Sequence, residues 1–429
     1  MSGGLISGNS PSIVQLVATG LFAVAVLHTF STRYFEQLAH AQPNHAGLWH
    51  LLGEVETVFG FWAMVLLLFL AIFVTPQESL GYLESRKFTE PAFIFVIMVI
   101  AASRPILDFS GALLLWLARL LPLAPPTAYY LTVLFVGPLL GSLITEPAAI
   151  TLTAMLLRER YFSPQAPNSF KYGTLGVLFV NISIGGTLTP FAAPPVLMVA
   201  DRWGWDFAFM LHTFGWKAAL AVLTNAAVAA IVFRSYLKQL SAISPALERI
   251  EIPWPIICVH LTFLIGVVIA SHHMLVFAGL FLFFLGFAEA YRRYQNRLIL
   301  REGLLVGLFL AGLVVLGGMQ EWWLGPLLSN LNTTALYYGA TALTSITDNA
   351  ALTYLGSLVD GLSPEAKYSL VAGAVSGGGL TVIANAPNPA GFAILKGTFE
   401  DGAISPLWLA LAATLPTLTA VAAFQLLPG

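Results

Sequence analysis

The sequence predicts an all-α polytopic membrane protein made of two inverted repeats of five transmembrane helices, each with a re-entrant hairpin and a discontinuous helix. The 429 residues are 58% hydrophobic and only 9% charged, with a mean hydropathy of +0.82. An average soluble domain is about a quarter charged. The apolar runs fall into two groups of five, and two motifs occur twice in the same order. Together these observations predict a duplicated membrane protein.

The apolar runs are long enough to cross roughly 30 Å of hydrocarbon as helices. They lie at about 11–30, 50–75, 90–107, 170–200 and 212–236, and then at 254–271, 273–291, 300–318, 367–395 and 405–427. The first repeat is therefore placed at residues 1–240 and the second at 250–429. The first run lacks the basic flank of a secretory signal, so it is expected to be a retained span.

A further apolar stretch lies between the third and fourth runs of each half, at 127–160 and 333–360. The first is interrupted by TEP (145–147) and the second by TDN (347–349). Arms of about 12 to 18 residues suit a re-entrant hairpin better than two full crossings. The stretches before them, 110–124 and 320–330, are predicted to be interfacial helices.

The basic residues orient the chain, because cytoplasmic loops are enriched in Lys and Arg. If the hairpins make no net crossing, each half crosses five times and the second half enters from the opposite side. Of 19 Lys and Arg residues, only Arg86, Lys87, Arg202, Lys217 and Lys367 then fall outside. Both termini are predicted outside, with a bacterial inner membrane as the expected location.

The two halves also match residue by residue. SLITEPAAIT (142–151) aligns without gaps with TSITDNAALT (344–353), which pairs Glu146 with Asp348. GGTLTPFAAPP (185–195) aligns with GGLTVIANAP (378–387), which pairs Thr189 with Thr381. Such internal symmetry is typical of secondary transporters, whose substrate sites lie between the repeats.

The second motif predicts a broken helix at 170–200 and another at 367–395. Glycine and proline interrupt both apolar runs, and proline cannot continue a helix. The freed backbone carbonyls, together with threonine hydroxyls, would form an oxygen-rich site suited to Na+. The predicted break residues are Gly185, Gly186, Pro190, Pro194, Pro195, Gly377, Gly378, Gly379, Pro387 and Pro389.

Four carboxylates, Glu54, Glu56, Glu146 and Asp348, are predicted within the membrane. A charged acid at the centre of a membrane helix costs about 2.5 to 3.5 kcal/mol on insertion scales. Either a proton or a bound cation relieves this cost, so a group that holds one or the other exchanges them by competition. Asp348 is predicted to be the switchable charge, with Asn349 as its neutral support.

Neutral oxygens are expected to complete the ion site. The candidates are Thr145, Thr347, Thr189, Thr381, Asn181, Ser183, Asn385 and Asn388. Glu54 and Glu56 lie two apart on one apparent helix and point about 200° from one another. Only one of them can therefore serve as a proton relay. Neither a transition metal nor an organic cofactor is expected, only transported Na+ and H+.

Simpler interpretations stay open for these residues. Asp348 also fits a helix cap, Glu146-Pro147 fits a helix start, and Thr hydroxyls can satisfy helix backbones in lipid. An intramembrane enzyme is disfavoured, since neither His-Glu-x-x-His nor Gly-x-Ser-x-Gly occurs. The duplicated hairpins favour a carrier over a channel. A net charge of −2 argues against a nucleic-acid partner.

At TDNAALT and SIGGTLTPFAAPP the sequence resembles the ion transporter superfamily of arsenite, dicarboxylate and sodium/proton carriers, and most of all D-type sodium/proton antiporters. The resemblance implies exchange of Na+ or Li+ for H+ by alternating access. It also implies paired ion sites, a moving transport domain on a scaffold, and a homodimer. Glu146-Pro147 stands where those relatives tend to have Asp-Asn, which leaves the ion, the stoichiometry and the substrate open. A carrier of arsenite or of a small organic anion, within the same superfamily, is the alternative function.

Overall fold

The computed structural model describes residues 11–163, 165–240, 251–399 and 403–428, and within them the secondary structure is helical without any β-strand. The helices are α1 (Ile13–Thr29), α2 (Thr32–Ala41), α3 (Ala46–Gly53), α4 (Val55–Phe73), α5 (Pro76–Glu84), α6 (Thr89–Ala101), α7 (Arg104–Leu120), α8 (Pro125–Ile144), α9 (Glu146–Arg160), α10 (Asn168–Gly185), α11 (Pro194–Trp203), α12 (Phe207–Met210), α13 (Trp216–Val232), α14 (Arg234–Gln239), α15 (Trp254–Ile269), α16 (Met274–Ala290), α17 (Leu300–Gly317), α18 (Glu321–Ser329), α19 (Thr333–Thr344), α20 (Asn349–Ser357), α21 (Pro364–Gly377), α22 (Asn388–Leu395) and α23 (Pro406–Leu426).

Several helices have the length and composition of membrane spans. In the described residues these are Glu56–Phe73 of α4, α8, the continuous segment Phe207–Val232, α17 and α23. The pair α6 and α7, bent by 67° at residues 102–103, adds a sixth if it is a single span. Helices α1, α15 and α16 are apolar but shorter. The all-helical class is thus confirmed for the described residues, and the long apolar helices are compatible with a membrane protein. The inversion of the repeats stays a prediction.

The interruptions lie where the sequence placed them. Helices α8 and α9 meet at Thr145, and residues 345–348 separate α19 from α20. The first broken helix consists of α10, a 3₁₀ turn at Gly186–Leu188 and α11, and the second consists of α21 and α22. Glycine and proline produce these breaks locally, so a sequence pattern is sufficient to locate them.

Three expectations about helix lengths were wrong. The run at 50–75 is not one helix, because Glu54 is extended (φ −82°, ψ 120°) between α3 and α4. The helix expected at 110–124 begins at Arg104, where Pro105 occupies the first turn. Helix α8 has 20 residues, more than a re-entrant arm was expected to have. The re-entrant character of that hairpin therefore stays a prediction.

The chain forms two compact units, each with segments from both halves of the sequence. One unit comprises Met1–Ala92, Leu304–Leu331 and Tyr354–Leu362, and the other comprises Phe93–Gly303, Asn332–Thr353 and Ser363–Gly429. In the first, Phe59 of α4 packs edge-on against Phe22 of α1 and Phe309 of α17.

The second unit is organised around α10. Val180 and Ile184 of this helix belong to a fully buried cluster with Val196, Val375 and Phe424. That cluster joins α10 to α11, α21 and α23. Both hairpin tips and both helix breaks belong to this unit, so one hydrophobic core positions all four.

Candidate ion-binding site

The first hairpin turns at Thr145, which has an unusual backbone conformation. With φ 73° and ψ 151° it is the only non-glycine residue of positive φ in the described chain. A β-branched residue rarely adopts positive φ, and such strain persists only where surrounding structure enforces it. Glu146 and Pro147 then begin α9, as the helix-start interpretation predicts. The turn thus presents Glu146 at the buried start of a helix.

Glu146 is fully buried and only half hydrogen-bonded. Its Oε2 accepts a hydrogen bond from Nδ2 of Asn385 at 2.9 Å. Its Oε1 has no hydrogen-bond partner among the described residues. The carboxyl group lies against Gly186 of the first break, where a Cβ atom would come within 2.4 Å of Oε1. A charged carboxylate buried in this way is costly unless a proton or a cation completes it.

Asp348 caps the second arm of the second hairpin. Its Oδ1 accepts hydrogen bonds from the backbone N–H of Ala350 at 2.8 Å and of Ala351 at 3.1 Å. The capping interpretation is therefore confirmed, and it leaves an ionic role possible. Asp348 is half-buried and lies close enough to Glu146 for the two carboxylates to interact electrostatically. The second break links the two tips, because Asn385 donates to Glu146 and the adjacent Ala384 accepts from the N–H of Asn349.

Asn349 is the most poorly satisfied polar side chain at the second tip. It is fully buried, and neither Oδ1 nor Nδ2 has a hydrogen-bond partner within the described chain. Its backbone N–H donates to the carbonyl of Ala384 in the second break at 3.1 Å. A Cβ atom on Gly378 would come within 2.8 Å of Nδ2. Asn349 thus connects the second tip to the second break.

Two asparagines belong to the second break itself. Asn388 donates from Nδ2 to the carbonyls of Gly378 at 2.8 Å and Thr381 at 2.9 Å, which fastens the unwound segment. Asn385 donates to Glu146. The Oδ1 atoms of both asparagines are buried without a hydrogen-bond partner in the described part of the protein. Each amide is therefore anchored through its nitrogen while its oxygen remains available.

The unpaired buried oxygens form the candidate site. Native structures leave few buried polar atoms without a hydrogen bond, so each one calls for an explanation such as a bound ion or water. Carboxylate, amide and hydroxyl oxygens are the ligands expected for Na+ at a helix break. Among described residues, those at the tips and the second break are Thr145 Oγ1, Glu146 Oε1, Asn349 Oδ1, Asn385 Oδ1 and Asn388 Oδ1.

Three of the four threonines named from the sequence donate to backbone carbonyls. Thr189 donates to the carbonyl of Ser142 at 2.7 Å, and its repeat counterpart Thr381 donates to the carbonyl of Ser345 at 2.8 Å. Each hydroxyl therefore ties a break to its hairpin tip. Thr347 donates to the Leu343 carbonyl of its own hairpin arm at 2.8 Å. That contact fits the alternative in which a hydroxyl merely satisfies a helix backbone.

Asn181 is fully buried but serves helix packing. Pro138 inside α8 has no N–H, so the carbonyl of Leu134 loses its partner within the helix. Asn181 donates from Nδ2 to this carbonyl at 2.8 Å, and its Oδ1 accepts from Nδ2 of Asn225 at 2.9 Å. Both ends of the amide are thus occupied away from the hairpin tips. The structure does not bring Asn181 to Glu146.

Glu54 and Glu56 belong to the other compact unit. The 200° separation expected for them was wrong, because the helix is broken at Glu54. A relay role for either acid stays a prediction.

Sequence reasoning missed Ser142, whose side chain and carbonyl both bond to the first break. The available signal was its place as the first residue of the duplicated motif.

One family model matches the chain over residues 13–427, and its description is "Putative Na+/H+ antiporter". The match includes both hairpins, both breaks and every residue of the candidate site. No curated protein matches the chain.

Proposed function

Because the chain belongs to this Na+/H+ antiporter family, we propose that it exchanges Na+ or Li+ for H+ across the membrane by alternating access. It is an integral membrane protein, as its family and its long apolar helices indicate. Cation/proton antiport is the activity that the family's description names. The ion, the exchanging groups and the mechanism are the proposal.

The observation that carries the proposal is the half-satisfied carboxyl group of Glu146. When deprotonated, it offers Oε1 to a cation while Asn385 holds Oε2. When protonated, the same group is neutral and becomes a hydrogen-bond donor. Desolvation disfavours the charged form without a counter-ion, so cation and proton compete for one site. Loading one then requires release of the other, which is the coupling that an antiporter needs.

Glu146 takes the role that the sequence assigned to Asp348. Oδ1 of Asp348 already accepts two backbone N–H hydrogen bonds, so this oxygen is engaged in capping α20. We assign it a second role, as the neighbouring negative charge that favours a cation over an anion at Glu146. The amide oxygens of Asn349, Asn385 and Asn388 complete the proposed cation site.

Exchange in everted vesicles tests the proposal. Na+, Li+, K+, arsenite and succinate are supplied in parallel, and proton movement is followed for wild type, Glu146→Gln and Asp348→Asn. Both variants are expected to abolish Na+- or Li+-dependent proton movement. Asparagine is as good an N-cap as aspartate, so Asp348→Asn removes the charge and keeps the cap. Glu365→Gln at the exposed start of α21 is the matched control.

Wild-type exchange by Glu146→Gln would overturn the proposal. Wild-type exchange by Asp348→Asn alone would show that Asp348 only caps α20. Proton movement driven by arsenite or succinate instead of Na+ would identify the alternative carrier. Each outcome is read against the amount of folded protein in the membrane.

A further inference from the structure

Ser142 forms a buried junction between the first hairpin and the first break. Its hydroxyl donates to the carbonyl of Gly185 at 2.7 Å and accepts from the backbone N–H of Leu188 at 3.0 Å. Its own carbonyl accepts from the hydroxyl of Thr189 at 2.7 Å. The side chain is 1% exposed. Water therefore has little access to replace these bonds.

These bonds lie on both sides of Gly186. Gly185 ends α10, and Leu188 ends the 3₁₀ turn that contains Gly186. Gly186 is the residue against which the carboxyl group of Glu146 lies. Ser142 is four residues before Glu146, so one side chain fixes the distance between the hairpin tip and the backbone beside the carboxylate.

Among the described residues of the second half, no equivalent hydroxyl junction occurs at the aligned position. Thr344 aligns with Ser142, yet its buried Oγ1 has no hydrogen-bond partner among the residues described. That half is tied by Thr381 to the carbonyl of Ser345 and by the N–H of Asn349 to the carbonyl of Ala384. The sequence repeats here, but within the described part of the chain Thr344 does not form the bonds that Ser142 forms beside the half-satisfied carboxylate.

We infer that Ser142 is a positioning residue that holds Gly186 against Glu146 and so sets the carboxylate in its cation-binding geometry. The inference rests on the function proposed above, in which Glu146 binds cation or proton. In this proposal Ser142 itself contacts neither the cation nor the exchanged proton. Removing its hydroxyl frees the 3₁₀ turn to move relative to the tip, which weakens cation binding more than it slows the exchange of a loaded site.

The test compares Ser142→Ala with Thr132→Val in proteoliposomes that contain the full chain. Thr132 is also buried in α8, and among the described residues its hydroxyl bonds to the Ala128 carbonyl of its own helix at 2.9 Å. Each variant therefore removes one buried hydroxyl from the same helix. The readouts are the half-saturating Na+ concentration, the maximal exchange rate and the thermal midpoint of the purified protein.

We expect the half-saturating Na+ concentration to rise about tenfold in Ser142→Ala, equivalent to about 1.4 kcal/mol, with the maximal rate within about threefold of wild type. Thr132→Val is expected to keep the wild-type value. A fold-wide loosening would lower the thermal midpoint and the rate while leaving half-saturation unchanged. That result in Ser142→Ala would overturn the inference.

If Ser142→Ala does not accumulate, Ser142→Cys retains a weak donor and acceptor of similar size and is expected to shift half-saturation in the same direction. Glu146→Gln separates the two proposals. If it retains exchange, the proposed function fails. If it abolishes exchange while the folded Ser142 variant has wild-type half-saturation, only the positioning role fails.

Discussion

Gly186 shows how close the backbone must come to the buried acid. A Cβ atom at this position would lie 2.4 Å from Oε1 and 2.8 Å from Cγ of Glu146. Real Cβ atoms do not approach so closely, so one of the two groups must move. The carboxyl group is anchored by Asn385 and the turn by Ser142. Glycine is required here by contact with a functional side chain, in addition to breaking the helix.

Gly186→Ala is therefore expected to push the Glu146 carboxyl group away from Asn385. Hydrogen bonds to charged groups contribute about 1.5 to 3 kcal/mol, so half-saturating Na+ should rise by roughly ten- to a hundredfold. Na+ titration of proton movement measures this shift. Gly339→Ala in α19 is the control, because no described atom outside its own helix backbone lies within 4 Å of the added Cβ. Equal half-saturation in the two variants would show that the contact is unimportant.

Helix α8 depends on another helix to satisfy the carbonyl that Pro138 leaves without a donor. The carbonyl that Pro138 leaves without a partner is satisfied by Asn181 of α10. Asn225 of α13 in turn donates to Oδ1 of Asn181 and to the carbonyl of Pro416 in α23. A buried amide network thus joins four helices, and each bond compensates polar groups that lipid cannot satisfy.

Asn181→Ala is expected to destabilise the protein without changing ion affinity. It leaves the carbonyl of Leu134 without its donor and removes one of the two acceptors of Asn225, and an unsatisfied buried polar group costs about 1 to 3 kcal/mol. The thermal midpoint in detergent should fall, while half-saturating Na+ in the folded fraction stays at the wild-type value. An unchanged midpoint with a raised half-saturation would instead support the ligand role predicted from the sequence.

At the scale of the molecule, the orientation in the bilayer rests on the distribution of Lys and Arg. Helix α16 is a short apolar helix between an exposed turn at His272 and His273 and the basic segment that contains Arg292 and Arg293. Large apolar side chains on its surface, such as Leu275, Leu282 and Phe283, are exposed. A surface of this kind fits contact with lipid.

Cysteine labelling tests this orientation. Cys258 is the single cysteine and is exposed, so Cys258→Ser provides the background. In that background, His273→Cys is expected to react with a membrane-impermeant maleimide from outside intact cells, and Asn296→Cys only from the cytoplasmic side. The reason is the enrichment of Lys and Arg in cytoplasmic loops. Labelling of both from one side would show that α16 does not cross.

The homodimer stays a prediction, which mass measurement in detergent would test.

The sequence by itself determined the helical class with its long apolar helices and the positions at which helices are interrupted. An apolar composition indicates a lipid environment. Proline and glycine interrupt a helix through local backbone effects, which do not depend on distant residues. Asn385, named from the sequence, donates to Glu146, whereas the ion-binding roles of Asn349, Asn385 and Asn388 stay predictions.

Only the tertiary structure decided which acid is half-satisfied and what holds it. Glu146 and Asn385 are 239 residues apart in the chain. Nothing in the sequence around Thr145 or Ser142 indicates the positive φ of the first or the hydrogen bonds of the second. The same structure shows that the side chains of Asn181 and Thr347 donate hydrogen bonds to helix carbonyls. A hydrogen bond depends on where a distant partner comes to lie, and a local pattern of residues carries no information about that position.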